Sequence, residues 1–349
     1  MKLKRSVPVR TLFLSIALVL SILSPTLGPG AALAAGGTTV PAGDVSGTWS
    51  AAGSPYLVEG DLTVPAGETL TIEPGVTVLF NSWYKLTVNG TLLAQGTAAD
   101  PILFTGSSPS PGWLGIRFVN ASDASYLNHA IVENARATGA NPDNKGGGIY
   151  IENTSPTISN STIRNNYATN SGGGIYLTAS NAILTGNSIV DNTVGYGTSS
   201  GGGIALYNNS NALITGNVIR GNTVAASGGF STANGYGAAV YARSSDPVLR
   251  GNLITGNAIT GTNSHKYGGA LYLYYADAIL VGNTIAGNSA GTTAGVQITL
   301  AGGAIFEYQS HPVLANNILW NNTPDQLHGS GQGLPGSLTV AYSDVQGGQ

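Results

Sequence analysis

The chain has 349 residues, no cysteine, 51 glycines and only 8% charged residues. A hydrophobic content of 42% excludes a disordered, highly charged polymer. The missing cysteines exclude a disulfide framework and any cysteine zinc site.

Residues 1–34 read as a secretory signal. Lys2, Lys4, Arg5 and Arg10 form a basic end, and Thr11 to Leu23 is an apolar run too short to span a bilayer comfortably. Ala32-Leu33-Ala34 is a small-x-small cleavage site, and an uncleaved membrane anchor is the competing reading. No cysteine is present to carry a lipoprotein acyl chain. The segment holds 4 of the 13 basic residues and none of the 16 acidic ones, leaving a mature charge of −7. A secreted or cell-surface location follows, with no membrane insertion of the mature chain. The acidic balance argues against nucleic acid as a partner.

Residues 35–112 contain four or five short alternating strands joined by Pro-Ala-Gly, Pro-Gly and Asn-Gly turns. They read as an N-terminal cap and first coils. Residues 113–322 repeat one sentence. Its first strand centres on Ile149, Ile175, Ile204, Val240, Leu271 and Ile305, and a second apolar centre follows at Ile163, Ile189, Ile219, Ile254, Ile285 and Ile318. Asparagine comes three residues later at 166, 192, 222, 257, 288 and 321. It also stands two residues before the second centre at 187, 217, 252, 283 and 316, with Ser161 in the first copy. A weaker copy precedes these, with Ile116, Ile131 and Asn134. Residues 323–349 break the repeat and hold a last strand, Leu338 to Val345. The chain is a fragment or a complete small solenoid.

Apolar residues alternate within each copy, which means β-strand. Short strands at a regular repeat cannot bury their apolar faces alone and stack as a solenoid, each strand about 4.8 Å from its equivalent. Asparagines then stack at corners, satisfying backbone groups and tolerating φ > 0. The expected fold is all-β, a parallel β-helix of about ten coils with N-terminal capping strands.

On these units the chain resembles the right-handed parallel β-helix superfamily, the pectin-lyase-like fold. Its GGGI, GGAI and GN-x-I-x-x-N units are similar to the repeats of bacterial secreted β-helix proteins. GGAI units like Gly302 to Ile305 also occur in polymorphic outer-membrane proteins. The likeness speaks for fold and not for activity.

Stacking turns alignment columns into columns in space. One residue after each first strand centre lie Tyr150, Tyr176, Ala205, Tyr241, Tyr272 and Phe306. Two further on lie Glu152, Thr178, Tyr207, Arg243, Tyr274 and Tyr308. Both columns point outward and are rich in tyrosine, whose flat face and hydroxyl suit a polysaccharide or cell-surface glycan. Aromatics also favour strands for packing alone. A corner row runs Ser155, Asn181, Asn211, Asp246, Asp277 and His311. Close carboxylates such as Asp246 and Asp277 are what a retaining glycosidase or a Ca²⁺ site uses, with His311 beside them. Such residues equally make local turns by bonding backbone. No other cofactor is expected. His265-Lys266 is a loop pair beside the aromatic face, suited to an anionic sugar.

The resemblance implies, for an enzyme, acidic Ca²⁺ ligands with an arginine or lysine base, or a tight aspartate cluster. The outward face offers only Glu152 and Arg243, about 14 Å apart at the coil rise. His129 stands where asparagine holds a corner elsewhere. P-loop, Rossmann, HExxH and GxSxG signatures are absent. The favoured reading is a non-catalytic secreted repeat protein that binds polysaccharide through the tyrosine columns. The alternative is a polysaccharide lyase or glycoside hydrolase.

Overall fold

The computed structural model describes residues 36–107, 112–226, 233–261, 265–291, 299–329 and 338–347. Among them the chain winds through three long sheets, here A, B and C, of 12, 11 and 11 strands, with every pairing parallel. One rung shows the path. Ile175–Thr178 lies in sheet B, Ile183–Thr185 in sheet C and Ser188–Val190 in sheet A. Thr193–Val194 and Ser199–Ser200 then join two smaller sheets, D and E, of five and four strands, before Ile204–Tyr207 returns to sheet B. The register is the one the repeat predicts: Ile149 pairs with Ile175, Ile175 with Ile204, Ile204 with Val240, Val240 with Leu271 and Leu271 with Ile305.

The interior is a continuous apolar column. Ladders such as Ile158, Leu184, Ile214, Leu249, Leu280 and Leu314 are fully buried. Each such side chain contributes about 1.5–3 kcal/mol relative to exposure. Glu307 is the departure. It pairs with Leu273 at an inward position and is buried.

Residues 38–106 belong to the same three sheets. Thr38–Val40, Gly43–Asp44 and Gly47–Trp49 begin sheets A, B and C. Among the described residues these early rungs have no strands in sheets D and E, and Tyr56 pairs with Val78, only 22 residues on. From Arg136–Ala137 onward the chain inserts an excursion between sheets A and B. Val218 pairs with Leu253, 35 residues on.

Corners explain the asparagines. Asn222 Nδ2 donates to Ile189 O (2.9 Å) and Asn257 Oδ1 (2.9 Å). Its Oδ1 accepts from Asn192 N (3.0 Å) and Asn192 Nδ2 (3.0 Å). The same pattern runs along the ladder from Asn166 to Asn322, and a second ladder runs from Asn187 to Asn317. These amides bind backbone that the corner takes out of the sheets, which an interior requires. The positive φ belongs to the residue before each ladder amide. It falls on Asn165, Asp191, Gly221, Gly256, Gly287 and Asn321. The glycines before sheet B strands meet a second demand. A Cβ on Gly173 would lie 2.4 Å from Gly202 O.

The two end copies are offset by one residue from the sequence reading. Val132, not Ile131, pairs with Ile163, and Leu319, not Ile318, pairs with Ile285. The ladder amides of the last copy are therefore Asn317 and Asn322, while Asn316 and Asn321 take the left-handed corners. A two-residue strand period makes a one-residue slip exchange inside for outside. Ile131 is accordingly only half buried and Ile318 is exposed. His129 (φ 48°) takes a left-handed corner beside Asn160 (φ 48°).

Candidate binding face

The outward side of sheet B carries the tyrosines, and the excursion decides their environment. Tyr150, Tyr176, Tyr241, Tyr272 and Phe306 are only 4–6% exposed, so the first column is not the open platform its outward direction suggests. An in-register parallel sheet places identical rings one rung apart, close to the spacing at which rings stack face to face. Tyr150 and Tyr176 stack at 5.3 Å, Tyr241 and Tyr272 at 5.6 Å, and Tyr272 and Phe306 at 5.1 Å. Ring faces are thus taken up by neighbouring rings.

Ala205 breaks that column, and Tyr207 from the second column fills the gap. Its ring lies 5.2 Å from Tyr176 and 5.3 Å from Tyr241. His328 closes one end of the spine on Phe306 at 5.4 Å, and the Arg117 guanidinium covers Tyr150 at 5.5 Å at the other. Arg117 is buried, with Nη1 donating to the carbonyls of Lys145 and Gly146, while Nε and Nη2 have no hydrogen-bond partner among the described residues. Desolvation lowers its pKa to about 10, against the pull of Asp143.

A third column, not singled out in the sequence, completes the face. The residue before each Gly-Gly or Gly-Ala pair stacks in register: Lys145, Ser171, Ser200, Tyr236, Tyr267 and Ala301. Tyr236 lies 4.8 Å from Tyr272, and Tyr267 lies 4.8 Å from Phe306. The signal was present in the text as SGGG, YGAA and YGGA, but the short strands of sheet E have no alternation to mark them. Lys266, expected at the surface with His265, is buried in that sheet between Gly235 and Leu300.

Where this column carries serines, space remains. A cleft of about 440 Å³ opens among Ser171, Ser200, Tyr207, Tyr236, Tyr241 and Tyr272, rimmed by Asn170, Thr198, Arg243 and Tyr274. Tyr207 Oη lies 2.9 Å from Ser200 Oγ and 3.3 Å from Ser171 Oγ. Arg243 lies over the Tyr274 ring at 5.4 Å, and Tyr274 stacks on Tyr308 at 5.1 Å. Burial, the largest influence, raises the phenols of Tyr241 and Tyr272 well above the usual tyrosine value, so they stay protonated across ordinary pH. Among the described residues no carboxylate lines the cleft. Glu152, on the same face, accepts from Tyr150 Oη at 2.9 Å. A larger cleft, about 680 Å³, opens at the C-terminal end around residues 321–327. Its one carboxylate, Asp325, is engaged by Gly302 N, Gly303 N and His328.

The corner row forms as stacked columns require, and its chemistry is that of a turn. Asp246 N donates to Asn211 Oδ1 (2.7 Å), Asp277 N to Asp246 Oδ1 (2.7 Å) and His311 N to Asp277 Oδ1 (2.6 Å). Each carboxylate takes a backbone N–H from the next rung, which offsets the repulsion between neighbours. His311 Nδ1 lies 3.2 Å from Asp277 Oδ1, with both side chains exposed. The row stands at the border of sheets B and C, away from the tyrosine cleft. Among the described residues no group of three or more His, Asp or Glu is arranged to hold a metal.

Residues 104–285 match the family model described as right handed beta helix region. That is more than half of the chain, and the protein belongs to the right-handed β-helix family. Among curated proteins, Protein bark beetle of Drosophila melanogaster is 46% identical over 55 residues, covering 16% of this chain and 2% of that protein. The chain therefore spans a small fraction of that relative's length.

Proposed function

We propose that this β-helix is a secreted or cell-surface, non-catalytic module that binds a hydroxyl-rich polysaccharide in the sheet B cleft. One observation carries the reading. The cleft is lined by tyrosines of the stacked columns with buried Ser171 and Ser200, and its rim carries Asn170, Thr198, Tyr274 and a single guanidinium, Arg243. Those groups donate and accept hydrogen bonds without net negative charge, as the hydroxyls of a sugar chain demand. The basic, apolar and small-residue order of residues 1–34 supports export. A hydrolase reading lacks support in this cleft, since glycoside hydrolysis uses a pair of carboxyl groups flanking the bond and none of the described lining residues carries one.

Binding is tested by co-sedimentation with insoluble neutral polysaccharides. Arg243→Ala combined with Tyr274→Ala should lower retention about tenfold while the fold persists, because both residues lie on the rim. Depolymerisation of a soluble polysaccharide by the native chain, abolished by Asp246→Asn or Asp277→Asn, would overturn the non-catalytic reading.

A further inference from the structure

We infer that the side of the solenoid formed by sheets C and A is a self-association face, on which a second copy of this chain docks side by side with its solenoid axis parallel. Eleven large apolar residues are exposed among the described residues, and seven of them sit here. Ile183, Leu213, Ile279 and Val313 are 38–45% exposed and, with half-exposed Val248, form one unbroken outward column of sheet C. On sheet A, Leu253, Ile318 and Trp320 are exposed as well, with Thr284 between Leu253 and Ile318. Isolated exposed aliphatics need no explanation, whereas a contiguous patch marks a contact.

Charge on either side of the column selects the occupant. Asp246 stands two residues before Val248 and Arg250 two residues after it, both exposed. Asp277, in the same corner row, lies on the next rung. A twofold axis laid along the column, parallel to the solenoid axis, brings Asp246 of each copy against Arg250 of the other. An axis across the column would instead set the acidic corner row of one copy against that of the next. The face is therefore complementary to itself in the parallel arrangement and repulsive in the antiparallel one. The surfaces also share one rung period, about 4.8 Å, so the aliphatic ladders meet rung against rung. Five rungs form a ridge about 19 Å long, which with its flanks covers about 400 Å² per copy. That is half of a standard interface, so the dimer is weak, with a micromolar or higher Kd.

Sedimentation velocity of the full chain between about 1 μM and about 1 mM brackets such an affinity. A concentration-dependent monomer–dimer equilibrium is expected. Arg250→Asp should weaken association about tenfold or more, as should Ile279→Asn, and Asp246→Arg combined with Arg250→Asp should restore it. Circular dichroism of each variant separates loss of the contact from loss of the fold. The inference fails if the chain stays monomeric throughout. It also fails if the oligomer is insensitive to Arg250→Asp and Ile279→Asn, or if the double charge exchange does not restore what Arg250→Asp removes.

Discussion

The two outer sides of these rungs use the same strand alternation and arrive at opposite environments. On sheet B the outward residues are rings, and the chain lays strands of sheets D and E beside them until five of the rings are nearly buried. On sheet C one outward column, Ile183 to Val313, is aliphatic and stays exposed or half-exposed. The cause lies in the connections. Sheet C passes to sheet A through a two-residue corner such as Gly186 and Asn187, whereas the path from sheet A back to sheet B carries the excursion. Alternation in a strand tells which side of a sheet a residue occupies. Exposure is set by what other segments the chain brings to that side.

The largest effect expected from breaking this comparison lies at the corner where sheet A gives way to the excursion. Asn222→Ala removes two donated and two accepted hydrogen bonds in a fully buried corner, leaving Ile189 O, Asn192 N and Asn192 Nδ2 without that partner. A loss of about 3–5 kcal/mol is expected by urea unfolding. On the covered side, Tyr272→Ala opens the spine between Tyr241 and Phe306 and should lower stability by about 3–4 kcal/mol. Tyr308→Ala, at a half-exposed ring of the second column, should fall within about 1 kcal/mol of the native chain. Equal effects at 272 and 308 would remove the distinction between covered and rim tyrosines.

Glu307 gives a smaller, pH-dependent contrast within the core. Burial raises its carboxyl above the usual 4.5, opposed by the Ser310 N–H and by His311 and His328. A folded-state pKa above the unfolded one means that stability is greatest below the unfolded value and declines as pH rises through the folded value. Glu307→Gln should thus melt close to the native chain at about pH 4 and above it at about pH 7. A difference that does not grow with pH would contradict this placement. The smallest effect belongs to the corner row, where Asp277→Asn retains the acceptor for His311 N and should change stability by less than about 0.5 kcal/mol.

Much of the fold was legible because stacking repeats its letters. Equivalent positions from Ile149 to Ile305 pair in register, and the asparagine columns became hydrogen-bonded ladders. The end copies slipped because Ile131 precedes Val132 and Ile318 precedes Leu319, and adjacent apolar letters do not say which one faces inward. The aromatic columns were legible as columns, but their cover was not, since sheets D and E are built from two- and three-residue strands in Gly/Ser/Thr-rich segments. Tyr236 and Tyr267 were hidden for the same reason. The swing of Tyr207 into the gap at Ala205 depends on a neighbouring column that no single repeat displays.

Stacked rings leave hydroxyl-bearing edges, not faces, to meet a ligand, and this separates the present account from a sugar-stacking platform. Polysaccharide co-sedimentation of Tyr241→Phe combined with Tyr272→Phe tests it most directly, because both rings stay in the spine and only the phenol oxygens leave. Retention should fall about tenfold with the melting temperature nearly unchanged. Retention equal to that of the native chain would contradict the account.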